Sequence, residues 1–100
     1  MAGFLVSPAA RHDLEEASRY GDRTFGVERT DRYFEELDRV FQMLAEFPQL
    51  ARERREFDPP VSVHRHGRHY IVYVSQTDHV RILRVLREES DLGRHLHRNS

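Results

Sequence analysis

Histidine side chains are the first candidates for chemistry in this 100-residue sequence. His64, His66 and His69 surround one predicted turn, and alternation along a strand would place His64 and His66 on the same face, as in a two-histidine metal site. No carboxylate or cysteine is spaced to complete such a site. We therefore predict that these histidines are polar residues of a hairpin, and that the protein holds no metal and no cofactor.

A histidine and a tyrosine could also form a general acid–base pair. His69 is next to Tyr70 and close to Tyr73 along the chain, but neighbouring strand residues point to opposite faces, which separates His69 from Tyr70. No other position supplies a matched acid and base. The sequence therefore predicts that the protein has no catalytic residues and acts by binding.

Arginine is dense enough on the predicted sheet to hold a phosphate or a carboxylate. The residues concerned are Arg65, Arg68, Arg81, Arg84 and Arg87. Arginine without a base binds and does not cleave. A second group lies in the polar connection 49–60, where interleaved glutamates disfavour phosphate, so either a solvated loop or a contact with an acidic partner remains open.

The composition excludes several classes of protein. There is no cysteine, and therefore no disulfide framework, zinc ribbon or thiol nucleophile. No apolar run is long enough to cross a membrane, and the N-terminus lacks a secretory signal. The net charge of -1 does not predict direct nucleic-acid binding. We expect one cytoplasmic domain over 1–100, with about 90–100 as a flexible tail.

A β-hairpin over 69–86 is the element around which the rest must be arranged, because two runs of Val, Ile, Leu and Tyr flank a polar break at 76–79. Alternation along the first run gives one face His69, Ile71, Tyr73 and Ser75 and the other face Tyr70, Val72 and Val74. Alternation along the second run gives one face Val80, Ile82, Arg84 and Leu86 and the other face Arg81, Leu83, Val85 and Arg87. Both faces are apolar, so both need cover.

Two helices precede this hairpin. A short strand over 3–6 stops at Ser7, a predicted N-cap, with Pro8 at the first helical position. Gly26 is expected to end the first helix, and Gly21 inside it either allows a close approach to a neighbour or marks fraying. The second helix has an apolar stripe at helical spacing, closed by Pro48. The stripe consists of Tyr33, Phe34, Leu37, Val40, Phe41, Leu44 and Phe47.

A third strand at 61–64 joins the hairpin through Gly67, which can take the positive φ of a tight turn. The predicted fold class is α+β, with a two-helix antiparallel hairpin packed on a small antiparallel sheet in the order β-α-α-β-β-β. This order, with DLEE at 13–16, LAEFP at 44–48, GRHYIVY at 67–73 and ILRVL at 82–86, resembles the ParE branch of the RelE/ParE toxin superfamily over nearly the whole chain.

The resemblance implies a toxin of a bacterial type II toxin–antitoxin module, neutralised by a ParD-like antitoxin in a hetero-oligomer, with DNA gyrase as the usual target. It also implies that the first strand lies beside the last. The other branch of the superfamily consists of ribosome-dependent messenger RNA endonucleases. A third possibility is a non-toxic interaction module that only binds an antitoxin-like chain.

Residues at two positions distinguish the first two branches. The endonucleases usually place an arginine on the outer face of the strand that here carries Tyr70, and histidine, tyrosine or arginine near the end of the last strand. Here the last strand runs into Glu88 and Glu89, which would repel an RNA phosphate. ParE-like proteins often carry histidine where Arg87 stands, so the sequence departs from that pattern too. The gyrase toxin is the favoured interpretation.

The predicted contacts follow from these patterns. An antitoxin is expected on the outer face of the central hairpin, which one helical hairpin cannot also cover, and on the polar connection. Its predicted contacts are Arg52, Arg54, Arg55, Phe57, Tyr70, Val72 and Val74. The target is expected at the end of the last strand and the tail, where cations have few obvious partners. Its predicted contacts are Arg84, Arg87, Arg94, His95 and Arg98.

Overall fold

A two-helix hairpin packs on one face of a five-stranded sheet in the computed structural model, which describes residues 3–96. The elements are β1 (Gly3–Val6), α1 (Pro8–Phe25), α2 (Val27–Glu46), a 3₁₀ turn (Pro48–Leu50), β2 (Glu53–Arg54), β3 (Val61–His66), β4 (His69–Ser75), β5 (His79–Arg87) and α3 (Leu92–His95). The predicted α+β architecture is confirmed. None of the described helices has the length and apolar character needed to span a membrane.

The sheet has the strand order β1-β5-β4-β3-β2. The first strand lies beside the last, as expected, but β1 runs parallel to β5. The remaining neighbours are antiparallel, so the sheet is mixed and not wholly antiparallel. At the turn between β3 and β4, Gly67 takes a φ of 56°, which confirms its predicted role.

The helix boundaries follow the predicted capping signals. The Ser7 hydroxyl accepts a hydrogen bond from the backbone N–H of Ala10 at 3.1 Å, and Pro8 occupies the first turn of α1. Gly26, with a φ of 89°, separates α1 from α2. A positive φ is strained for residues with a β-carbon, so glycine at this position allows the sharp reversal into α2.

The apolar stripe of α2 supplies most of the helix side of the core. Leu37, Phe41 and Leu44 are buried against Ile71 and Tyr73 of β4. The Tyr73 hydroxyl, which is not accommodated by apolar packing alone, donates to the backbone carbonyl of Pro48 at 2.7 Å.

Phe47 is the one member of the predicted stripe that the structure leaves out of the core. Its side chain is 52% exposed. The helix ends at Glu46, and the backbone of Phe47 leaves the helical region with φ -130° and ψ 68°. The prediction that Phe47 packs with the stripe is therefore wrong, because helical spacing holds only while the helix continues.

A β-bulge in β5 breaks the alternation expected for the second run of the hairpin. Val72 pairs with Arg84 but its neighbour Tyr73 pairs with Ile82, which leaves Leu83 as an extra residue. Beyond the bulge the faces exchange. Val85 lies in the core on the helix side, and Leu86 lies in the cluster on the outer side. The predicted faces of these two residues are therefore wrong.

The outer face of the sheet is covered by segments that sequence patterns did not assign to it. Val72 is fully buried in a second cluster with Phe57, Val61 and Leu86. Leu92 and Leu96, at either end of α3, pack against this cluster. The expected flexible tail is therefore helical over Leu92–His95, where the Asp91 carboxylate caps the helix by accepting from Gly93 N at 2.9 Å.

We predict that Gly21→Ala lowers the free energy of unfolding by about 1–2 kcal/mol, although alanine is the better helix former by about 1 kcal/mol. A β-carbon at Gly21 would lie 2.7 Å from Oγ1 and 3.0 Å from Cγ2 of Thr30, which is buried where α1 meets α2. The β-branched Thr30 side chain has little rotameric freedom to move away. Urea denaturation followed by circular dichroism measures the change.

Thr30→Ala provides the matched rescue, because it removes both close atoms and a buried hydroxyl that has no hydrogen-bond partner in residues 3–96. The double variant Gly21→Ala/Thr30→Ala should return to at least the wild-type stability. If Gly21→Ala alone is as stable as the wild type, the close approach of the two helices at this position is not a constraint.

Candidate functional site

The residues predicted to contact an antitoxin divide into buried and accessible groups. Phe57 is 1% exposed and Val72 is fully buried, both within the outer cluster. The expectation that these two present an open surface is wrong, because the connection that carries Phe57 folds back over the sheet. Tyr70 and Val74 are half-buried; Val74 packs against the same cluster, and Tyr70 pairs in the sheet with Leu86 of that cluster. Their contact with an antitoxin remains a prediction.

The three predicted arginines of the connection differ in their surroundings. Arg54 contacts Glu56, with Nη2 3.0 Å from Oε2, and its guanidinium lies 5.3 Å from the centre of the Phe57 ring. Arg55 lies beside Glu53, with Nε 3.4 Å from Oε1. Arg52 is exposed. These pairs lie at the surface and therefore contribute little to stability. A carboxylate of a partner could take the place of Glu53 or Glu56.

Arg84, predicted to contact the target, is instead paired inside the fold. Its Nε and Nη2 donate to the two carboxylate oxygens of Asp13 at 2.8 and 2.9 Å, and its side chain is 25% exposed. Asp13 raises the pKa of the Arg84 guanidinium through these hydrogen bonds. The expectation that Arg84 has few partners is wrong, because the bulge at Leu83 brings it to the N-terminal part of α1.

The start of α1 also forms hydrogen bonds with backbone groups of β5 at and beside the bulge. The Asp13 carboxylate accepts from the Val85 backbone N–H at 2.9 Å. The Ser7 hydroxyl donates to the Leu83 carbonyl oxygen at 2.8 Å, and Ser7 N donates to the Ile82 carbonyl oxygen at 2.9 Å. Hydrogen bonds therefore hold the start of α1 against the bulged part of β5.

Arg87 also has partners, although it remains accessible. Its Nε lies 2.7 Å from Oε1 of Glu89, and its guanidinium lies 4.7 Å from the centre of the Tyr20 ring. Arg65 of β3, which is separated from β5 by β4, pairs with Glu88. The expectation of few partners is therefore wrong for Arg87. The two carboxylates predicted to repel a phosphate hold the arginines at this end of the sheet.

The other predicted target contacts lie in or beyond α3. Arg94 and His95 are exposed in the last turn of α3. Arg98 lies outside the described residues. The structure therefore keeps two accessible basic residues of the predicted set on α3, next to the apolar residues that attach this helix to the outer cluster.

Tyr33 forms a polar contact that the sequence analysis missed. Its hydroxyl lies 2.7 Å from His69 Nδ1 and donates to the His66 carbonyl oxygen at 3.1 Å. Gly67 allows this contact, because a β-carbon there would lie 2.8 Å from the hydroxyl. The helical spacing identified Tyr33 only as a stripe residue. Its partner lies 36 residues away, so only the packed fold brings the two together.

The electrostatics of this pair indicate a neutral contact at pH 7. Burial raises the pKa of the Tyr33 phenol above its ordinary value. Burial, followed by the charge of Arg87, lowers the pKa of His69. Both groups are therefore uncharged near neutral pH. The pair stabilises the turn between β3 and β4 and is poorly suited to proton transfer at a substrate.

The arginines at the strand ends are paired with carboxylates, and residues 3–96 contain no group of three or more histidine, aspartate or glutamate side chains that could hold a metal ion. The helical hairpin on one face of the mixed sheet and the covered outer face together define a small α+β domain.

The chain belongs to the family described as the ParE toxin of the type II toxin–antitoxin system parDE, whose model matches residues 4–92. It is 30% identical over 94 residues to Toxin ParE1 of Mycobacterium tuberculosis, covering 93% of this chain and 96% of that protein. It is 27% identical over 96 residues to Toxin ParE1 of Caulobacter vibrioides, covering 96% and 99%.

A solved structure shares the fold. It is described as the chromosomal ParDE TA system from P. aeruginosa, and one of its chains superposes with a TM-score of 0.72 at 16% identity, over 89% of this chain and 97% of that one. The resemblance seen in the sequence is therefore confirmed at the level of family and fold.

We predict that Asp13→Ala lowers the free energy of unfolding by about 3 kcal/mol, because it leaves the Arg84 guanidinium and the Val85 N–H without their acceptor. Asp22→Ala, an exposed carboxylate on the same helix, is the matched control and should stay within about 0.5 kcal/mol of the wild type. Chemical denaturation distinguishes the two. Equal stability of both variants would mean that Arg84 is not held inside the fold.

We predict that His69 titrates below its ordinary value of about 6.5, as measured by NMR of the imidazole ring. As the pH falls through 6.5, the unfolded chain then takes up the proton before the native protein does, so His69 destabilises the fold in acid. Arg87→Ala should raise the pKa of His69, while Arg81→Ala, an exposed arginine on the same strand, should leave it unchanged. A His69 pKa above 6.5 in the wild type would contradict this account.

Proposed function

We propose that this chain is the toxin of a type II module, that it binds and inhibits DNA gyrase without cleaving RNA, and that a ParD-like antitoxin neutralises it. The observation that carries the proposal is the pairing of the strand-end arginines with carboxylates. Arg84 is held inside the fold by Asp13, and the accessible Arg87 lies beside Glu89, whose charge repels an RNA phosphate. Membership of the ParE family supports the same conclusion.

The surface left for the target is the exposed end of β5 and α3. Arg87, Arg94 and His95 are exposed there, whereas Arg84 is partly buried and bonded to Asp13. Cations on the rim of a protein interface mainly accelerate association and fix orientation, and they need no catalytic partner. We assign the gyrase contact to these three residues, in the cytoplasm where a chain acting on gyrase must work.

Two observations support an antitoxin as the partner of this chain, namely its relatives and the polar connection 49–60. Two ParE1 toxins align over nearly their full lengths, and the solved structure is described as a ParDE system. Arg52, Arg54 and Arg55 lie on one accessible connection, where acidic residues of an antitoxin could exchange with Glu53 and Glu56.

We predict that the purified chain inhibits supercoiling of relaxed plasmid by gyrase or accumulates cleaved plasmid. It should leave messenger RNA intact on programmed ribosomes. The first assay is read on agarose gels and the second by primer extension. Adding the antitoxin should restore supercoiling. Codon-specific cuts in the messenger RNA would instead place the protein among the ribosome-dependent endonucleases.

The paired variant Arg94→Ala/His95→Ala tests the assigned gyrase surface, and Arg11→Ala/His12→Ala is its matched control. Both change one exposed arginine and one exposed histidine, adjacent in sequence. The α3 variant should weaken gyrase inhibition by about tenfold, since loss of one charge-assisted contact such as that of Arg94 is worth about 1.5 kcal/mol. The α1 variant should leave inhibition unchanged. Equal inhibition by both would move the target contact away from α3.

A further inference from the structure

The edge of the sheet at β1 has free backbone hydrogen-bonding groups. This strand pairs only with β5 among the described elements. Ser7 N donates to the Ile82 carbonyl oxygen, so alternation directs the N–H and C=O groups of Phe4 and Val6 away from β5, toward the open edge. Edge strands are normally protected by charge or proline. The GFLV sequence of β1 has neither.

Apolar surface lies on both sides of this edge. On the outer side Leu5 is 60% exposed. On the helix side a groove of about 200 Å³ lies beside β1. Its lining is almost entirely apolar and includes Phe4, Val6, Leu14 and Phe34, with Asp38 as its one charged residue. An extended segment added to β1 would place alternate side chains over the groove and beside Leu5.

The rim of the groove is acidic. A shallow depression continues from it along α2, shares Phe34 and Asp38 with it, and adds Asp31 and Glu35. Arg39 is the one cation of that depression. The two helices together carry ten carboxylates and six arginines. A basic segment is therefore complementary to this rim.

We propose that an extended segment of the antitoxin adds to the sheet beside β1, with an apolar side chain in the groove and a lysine or arginine on either side of it against the α2 carboxylates. The identity of this occupant rests on the proposed function. A second copy of the chain is a poor occupant, because pairing two β1 edges would bring two acidic rims together. This surface lies on the helix side and is separate from the outer face predicted from the sequence.

The chemistry of the groove is tested first with a synthetic peptide, acetyl-Thr-Arg-Val-Leu-Val-Arg-Thr-amide, added to the full chain and followed by NMR. Its second, fourth and sixth side chains share one face, so a leucine flanked by two arginines meets the groove. A control peptide replaces both arginines with glutamate. Binding of the basic peptide should slow hydrogen exchange at the Phe4 and Val6 amides, and the control peptide should bind at least about tenfold more weakly.

Charge reversal on α2 provides the matched variants. Asp38→Lys should weaken binding of the basic peptide by about fivefold or more, while Glu46→Lys, an exposed carboxylate at the end of the same helix, should leave it unchanged. Equal binding of the two peptides, or unchanged exchange at Phe4 and Val6, overturns the proposed chemistry of the groove.

The assignment to the antitoxin is tested with the small protein encoded by the reading frame adjacent to that of this chain. Its binding should protect the Phe4 and Val6 amides and should be weakened by Asp38→Lys but not by Glu46→Lys.

Binding without these effects overturns the docking site and leaves the proposed function intact. Failure to bind, while the basic peptide still protects Phe4 and Val6, counts against the antitoxin and so against the proposed function. Dimerisation of the free chain with protection of the same amides identifies a second copy as the occupant and overturns the proposal.

Discussion

The arrangement of this fold depends on the hydrogen bonds that the Asp13 carboxylate accepts from β5. The carboxylate accepts two hydrogen bonds from Arg84 and one from the Val85 backbone, at the point where β5 carries an extra residue. The bulge exchanges the faces of the strand, so Val85 enters the helix-side core and Leu86 the outer cluster. With Ser7 bonded to Leu83, the start of α1 fixes both the register of the last strand and the position of the helical hairpin.

This arrangement explains why an arginine-rich sheet need not be a phosphate site. The arginines that could bind an RNA phosphate are instead paired with carboxylates of the same chain, namely Asp13, Glu88 and Glu89. The accessible surfaces differ in character. The helices are acidic, the β1 edge has backbone groups that pair with no other described strand, and α3 presents basic residues. The antitoxin and the target that we propose can therefore use different surfaces of one small domain.

The sequence predicts what depends on local patterns and misses what depends on contacts between distant residues. Ser7, Gly26 and Gly67 act as their types suggest, since capping and positive φ are properties of one or two residues. The bulge at Leu83 has no local signal, because an extra residue leaves the apolar composition of the strand unchanged. The pairing of Arg84 with Asp13 spans 71 residues, so it can be predicted only when the register of β5 in the sheet is known. The cover of Val72 by Phe57 was missed for the same reason.

We propose that this member of the ParE family acts by protein contact on gyrase and not by cutting messenger RNA. Bacteria induced to express the chain alone, and carrying one reporter for DNA damage and one for translation, test this claim most directly. The account predicts that the DNA damage signal rises first, that translation falls only later, and that co-expression of the antitoxin abolishes both effects. Arrest of translation before any DNA damage signal would contradict the account.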